Sequence, residues 1–254
     1  MTVPAPASPL LSKRQVNRAG DLLRDWWMNP NSRQLADSNE LSESVRLVLF
    51  EFRPTFQRPL DKVVMGVRSM VRSSSPGLKG RSSIPVGQRL KRETQIIDKL
   101  ARHPAMQLAR MQDIGGCRAV LPGGASEVYA VVERMRKADW DIRGAIDDYI
   151  KRPTNDGYRA VHVVVMRDER LIEIQLRTPG QHEWAIAVER ASIQLRMPLK
   201  FGVGEPVVLE YFKYAADAIA LQENSAVPDE GFQARFDELR EQVRPYFAKS
   251  RAQS

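Results

Sequence analysis

Residues 157–178, GYRAVHVVVMRDERLIEIQLRT, constrain this chain more than any other stretch. Two β-rich runs flank the polar break Arg167-Asp168-Glu169-Arg170. The second run alternates strictly, with Ile172, Ile174 and Leu176 against Glu173, Gln175 and Arg177. A period of two reads as a half-buried strand, and the two runs together as a hairpin with one buried face and one displayed face. With an even-length turn centred on Asp168 and Glu169, His162 falls opposite Gln175 and Val164 opposite Glu173. Tyr158 and His162 then share a face with Glu173, Gln175 and Arg177. A phenol, an imidazole, a carboxylate, an amide and a guanidinium on one sheet face make a poor core and suit a site.

The rest of the chain places this hairpin in an α+β frame. Residues 1–12, rich in Pro, Ala and Ser, read as a flexible leader. A helical layer is expected over 13–75. Its first helix runs from Gln15 to Trp27 and ends at Asn29-Pro30-Asn31. The second is capped by Asp37 or Ser38 and carries Leu41, Val45, Leu47, Val48, Phe50 and Phe52 up to Pro54. The third spans Leu60 to Val71, before the loop 73–77. The core is expected over 76–198. There, 88–100 reads as a helix with Leu90, Ile97 and Leu100 on one face and Arg89, Lys91, Arg92 and Lys99 on the other. DIGGCRAVL, 113–121, ends as a buried strand, and its glycines mark a bulge or a close backbone approach. A helix over 126–138, a strand near 140–142 and a helix over 181–195 complete the core, with two more helices at about 207–222 and 230–249. Helices, then a β-containing centre, then helices is the order of an α+β fold, a mixed sheet surrounded by helices.

Composition narrows the partners. A formal net charge of +8 favours anions such as nucleotides, RNA or acidic head groups. The single cysteine, Cys117, excludes an internal disulfide framework and a Cys-cluster zinc site, and fits a reducing compartment. The apolar run of a membrane span is absent, so a soluble cytoplasmic protein is expected.

Motif absences narrow the chemistry. The sequence contains no Walker phosphate loop, no dinucleotide fingerprint, no HExxH and no His-Asp dipeptide. A bound nucleotide must therefore be held by side chains. The remaining parts are a basic segment (Arg89, Lys91, Lys99), an isolated acid (Asp113), an aromatic-bearing loop (Tyr158) and a strand with a second acid (Glu173). Phosphoryl-type transfer needs such parts: cations for polyphosphate, two carboxylates for magnesium, a base near an acceptor hydroxyl, and a flat ring to fix the acceptor.

In this order the pieces resemble the synthetase domain of the RelA/SpoT family, which makes pppGpp and ppGpp. The family's R-x-K-x-x-x-S-I-x-x-K is similar to RLKRETQIIDK here, matching at Arg89, Lys91, Ile96 and Lys99, with Gln95 where Ser is usual. DIGGCRAV supplies Asp113 and Arg118, DYIKRPTNDGYRAVH resembles the acceptor loop, EIQLRT resembles E-I-Q-I-R-T, and QHEWA resembles M-H-x-W-A. The resemblance covers about residues 80–195. It implies a nucleotidyltransferase-like mixed sheet and transfer of the β,γ-diphosphate of ATP to the 3′-hydroxyl of GDP or GTP. By motif position, Arg89 and Arg118 would sandwich adenine and Lys91 and Lys99 would hold the ATP phosphates. Asp113 and Glu173 would bind Mg²⁺, with Glu173 also the base. Tyr158 would stack on the acceptor base, and His162 and Gln175 would orient the acceptor.

The chain leaves the family pattern at Thr154, where Lys is usual, and Asp156, where Asn is usual. Some small members of the family are toxins that make adenine alarmones or pyrophosphorylate the 3′ end of tRNA, and a less phosphate-hungry acceptor site in a chain of net charge +8 would suit an RNA acceptor. Without a His-Asp dipeptide no hydrolase half is expected, and the chain resembles a stand-alone small synthetase. A non-catalytic nucleotide or RNA sensor is the rival reading, against which the pair Asp113 and Glu173 argues. The N-terminal helices and the pair over 207–249 stay open between homo-oligomer contacts, an antitoxin-binding surface and extensions of the core.

Overall fold

The computed structural model describes residues 11–29, 40–74 and 86–251. The leader up to residue 10, the break at Pro30-Asn31, the caps Asp37 and Ser38, and the loop residues 75–85 lie outside the described residues. Helix α1, Lys13–Met28, opens on a capping box in which the Ser12 hydroxyl accepts from Gln15 N and the Gln15 side chain returns the bond to Ser12 N. Helix α2, Glu40–Phe52, runs into a 3₁₀ turn, Arg53–Phe56. Pro54 sits in that turn, where its missing N–H is cheap, so the chain tightens there and resumes as α3, Gln57–Ser74, three residues before the expected start. No helix among the described residues is long and apolar enough to cross a membrane.

The sheet has five strands, β1 Val86–Leu90, β2 Gly115–Val120, β3 Asp147–Asp148, β4 Val161–Arg167 and β5 Arg170–Arg177, in the order β1-β2-β5-β4-β3. It is a mixed sheet with helices, as expected. Asp168 and Glu169 form the two-residue turn between β4 and β5, both with positive φ (45° and 61°), the backbone of a type I′ hairpin. The Lys62 ammonium donates to both Asp168 oxygens at 2.7 and 2.9 Å.

Two expectations fail. Residues 88–100 are not one helix: Arg89 and Leu90 belong to β1, and the helix, α4, spans only Glu93–Arg102. Residues 140–142 form no strand beyond a bridge at Ile142, and the strand there is β3. The missed strands are the two edges of the sheet.

The remaining helices are α5 Gly124–Lys137, α6 Pro179–Gln194, α7 Pro206–Glu223 and α8 Glu230–Arg251. The chain divides into two compact units, one of residues 1–66, 88–117 and 164–173, the other of 67–87, 118–163 and 174–254. In the first, α1 is tied to the end of α4 by Arg24, whose guanidinium donates to Leu100 O at 3.0 Å and Met106 O at 2.6 Å. Val16, Leu23, Leu49, Phe56, Leu60, Ile96, Leu100, Leu108 and Ile172 are all buried there. Gly115 marks a close approach: a Cβ on it would lie 2.8 Å from Ile172 Cδ1. In the second unit, Trp184, Val188 and Ala191 of α6 pack with Leu199, Val208, Phe212, Ala216 and Val243. Trp184 Nε1 donates to Phe212 O at 2.7 Å. Helix α6 starts directly after β5 through a second capping box, Thr178 with Gln181, and Pro179 in its first turn.

Candidate active site

In the first unit the chemistry centres on Asp113, in the turn just before β2. The N–H of Lys91, which leaves β1, donates to Ile114 O at 2.8 Å, and its carbonyl accepts from Arg53 Nε at 2.7 Å. That fixes Lys91 beside the Asp113 segment. Its ammonium lies 2.8 Å from Asp113 Oδ2, and Lys99, from the last turn of α4, reaches the same oxygen at 2.9 Å. Burial pushes the Asp113 pKa up, but the charges of Lys99 and Lys91 and their hydrogen bonds outweigh it and hold the carboxyl below its usual value. Its other oxygen, Oδ1, is buried without a hydrogen-bond partner. Glu173 stands half-buried on β5, between the buried Ile172 and Ile174. Arg89 is exposed on β1, and no hydrogen bond or ion pair among the described residues joins it to Asp113.

In the second unit a continuous polar network joins five side chains. Arg118 Nε approaches Gln175 Oε1 at 3.4 Å, and Arg177 Nη2 donates to the same oxygen at 3.1 Å. Arg177 Nη2 also donates to the Tyr158 hydroxyl at 2.7 Å, and that hydroxyl sits 2.6 Å from His162 Nε2. The Tyr158 hydroxyl thus bridges the Arg177 guanidinium and the His162 ring. Tyr149 packs edge-on against both rings, its centroid 5.8 Å from Tyr158 and 5.3 Å from His162. His162 is held from the other side by pairing opposite Asp147 of β3.

The loop that departs from the family pattern closes on itself. The Thr154 hydroxyl donates to the Asp156 carboxylate and accepts from Tyr158 N at 3.0 Å, and Gly157 N donates to Thr154 O at 2.9 Å. The added acid is thus bonded to the residue that replaces the usual lysine. Gly157 has φ +91°, and a Cβ there would lie 2.9 Å from Ala216 Cβ. Thr154, Asp156, Tyr158, Arg118, Arg177 and Lys200 help line a pocket of about 280 Å³.

The structure therefore gathers Lys91, Lys99 and Asp113 in one unit, and Arg118, Tyr158, His162 and Gln175 in the other. Sequence reasoning placed Arg177 on the right face and gave it no role. It overlooked Tyr149, His182 and Lys200. Arg177 had one signal, its position in the alternation of β5, whereas Lys200 lies within the Pro/Gly-rich break at 198–206, which carries none. Among the described residues no cluster of three or more His, Cys, Asp or Glu suits a metal.

Residues 88–194 match the family model described as "Region found in RelA / SpoT proteins". Over 107 residues, 41% of this chain and 38% of the relative, the sequence is 36% identical to an uncharacterized protein of Mycobacterium tuberculosis. Over 78 residues, 30% of this chain and 11% of the relative, it is 30% identical to the probable GTP diphosphokinase RSH3, chloroplastic, of Arabidopsis thaliana. The aligned stretches span well under half the length of these curated relatives. The crystal structure of small alarmone synthetase 1 from Bacillus subtilis bound to its product pppGpp matches with a TM-score of 0.54 at 21% identity, covering 76% of this chain and 98% of that one. At that identity the likeness carries the fold. Residues 88–194 are thus similar to the region found in RelA / SpoT proteins, and the chain shares the fold of small alarmone synthetase 1 from Bacillus subtilis.

Proposed function

We propose that this chain is a pyrophosphotransferase that moves the β,γ-diphosphate of ATP to the 3′-hydroxyl of a guanine nucleotide. The observation that carries the reading is Asp113, a carboxylate clamped by two lysines through one oxygen while its other oxygen is buried and unpartnered. Two ammonium groups exceed what one carboxylate needs, and they fit the phosphates of ATP. The orphaned oxygen fits a hard cation, with Glu173 as its second protein ligand and phosphate oxygens or water filling the shell. Bound there, Mg²⁺ would supply neutralisation of the charge that builds on the transferring phosphates.

In the proposed reaction Glu173 takes the proton from the acceptor 3′-hydroxyl, a bond forms from that oxygen to the β-phosphorus, and the bond from the β-phosphorus to the α,β-bridging oxygen breaks. AMP leaves with the bridging oxygen. Lys91 and Lys99 follow the charge from Asp113 onto the phosphates. Tyr158, fixed by Arg177 and His162, would hold the acceptor base, and Arg118 the adenine. Glu173→Gln tests the assignment: transfer falls at least about a thousandfold, a loss of about 4 kcal/mol of transition-state stabilisation, while ATP still binds. A variant that keeps wild-type turnover would remove Glu173 from the role of base.

A further inference from the structure

Helix α7 begins beyond residue 194, where the family match ends, yet one stripe of it carries the acceptor loop and the β5–α6 junction. Phe212, Ala216, Ile219 and Glu223 follow one another at helical spacing. Trp184 Nε1 donates to Phe212 O, and a Cβ on Gly157 would lie 2.9 Å from Ala216 Cβ. A Cβ on Gly180 would lie 2.5 Å from Ile219 Cγ2, and the Thr178 hydroxyl donates to the Glu223 carboxylate. Asp217, the next residue after Ala216, adds a charge beside this stripe. It accepts from Arg159 Nη2 at 2.8 Å, and Arg159 Nη1 donates to Gly157 O at 3.3 Å. The guanidinium therefore bridges α7 to the peptide that enters Tyr158. The Arg159 side chain is 14% exposed and that of Asp217 38%. An ion pair with one partner this open to water adds little to global stability, so stability alone is a weak account of it.

We infer that Asp217 is a positioning residue for the acceptor site: through Arg159 it fixes the Gly157–Tyr158 peptide, and with it the ring that holds the acceptor base. This rests on the proposed acceptor reading and extends the site to a helix outside the matched segment. The peptide is a point of leverage. Gly157 has φ +91°, so its flanking peptides are free to rotate unless something holds them. At the other end of Tyr158, the hydroxyl is tied to Arg177 and His162. A turn of the Gly157–Tyr158 peptide moves the backbone end of the side chain while the hydroxyl end stays in place, so the ring tilts. A tilt of the surface on which a substrate stacks costs more than the hydrogen bond that was lost, because the reacting hydroxyl is displaced with the base.

Asp217→Ala, Asp217→Glu and Arg159→Met in the full chain test this, with Glu210→Ala as the control. Glu210 lies on the same helix in an ion pair of matching exposure, 39%, but its partner is Arg235 of α8, at 2.8 Å. Asp217→Ala should raise KM for GDP about tenfold and leave KM for ATP and kcat within about twofold, the signature of lost acceptor binding. Asp217→Glu should recover part of the loss. Arg159→Met, which leaves α7 unchanged, should match Asp217→Ala, and the double variant should be no worse than either single one. Hydrogen exchange over residues 154–159, read by mass spectrometry, follows the tether without any chemistry: it should quicken in Asp217→Ala and Arg159→Met and not in Glu210→Ala. Unchanged KM for GDP in Asp217→Ala, unchanged exchange, or an equal effect of Glu210→Ala overturns the inference. If the wild type transfers nothing to any guanine nucleotide, the proposed function falls by itself. Exchange then still decides the tether, which stands if the rise is confined to the Asp217 and Arg159 variants and falls if it is not.

Discussion

The clamp on Asp113 is open to a quantitative test with Lys91→Met, Lys99→Met and the double variant. Methionine keeps most of the aliphatic stem of each lysine and removes the ammonium. The three side chains are largely buried, with Asp113 at 16%, Lys91 at 13% and Lys99 at 23% exposure, so solvent screens the charges only in part. Removing one lysine leaves the other on the same oxygen and deletes one charge-assisted hydrogen bond, about 1.5–3 kcal/mol. Removing the second strands a carboxylate that burial alone now governs, about 3–5 kcal/mol. The second deletion should therefore cost more than the first, giving a coupling of about 1–2 kcal/mol in the cycle.

The pH dependence carries the sign. In the wild type the Asp113 pKa is held below the ordinary carboxyl value of 3.8, so its contribution is full above that value and lost as pH falls through the folded pKa. In the double variant burial raises the pKa, and the carboxyl becomes tolerable once protonated. Urea denaturation from pH 7 down to 3 should show the gap between wild type and double variant narrowing. Strictly additive losses, or a gap constant with pH, would refute the reasoning.

Two other perturbations read other parts of the fold. Gly157→Ala forces a side chain onto φ +91° and against Ala216, which should cost about 1–3 kcal/mol in thermal or urea unfolding. Adding Ala216→Gly should return only the part due to the contact. Because the folded pKa of His182 lies below 6.5, its stabilisation is complete above 6.5 and lost as pH falls toward the folded value. His182→Asn should flatten stability between pH 7 and 5 relative to the wild type, as followed by urea midpoints.

What was legible in the sequence follows burial. Strands β4, β5 and β2 lie inside the sheet order, and their apolar residues, Val161, Val163 and Val165 or Ile172, Ile174 and Leu176, wrote a period into the chain. Edge strands bury little. In β1 only Val86 is buried, and its exposed Gln88 and Arg89 are what an unpaired edge tolerates, so Leu90 was drawn into the helical spacing of Ile97 and Leu100. Strand β3 is two aspartates and has no apolar signature at all. Lys91 and Lys99, spaced within one motif, and Asp113, from the next, are the expected residues that the structure brings together. Arg177 was placed on the displayed face but given no role, because its distinction is tertiary: its burial and the neutral groups around its guanidinium show only once the chain is folded.

Turnover with γ-labelled ATP, Mg²⁺ and GDP, followed by ion-exchange separation and ³¹P NMR, tests the central claim most directly. The account predicts AMP and a guanosine 3′-diphosphate product in equal amounts, with the label in the product. Release of ADP in place of AMP, or no AMP with any guanine nucleotide, would contradict it.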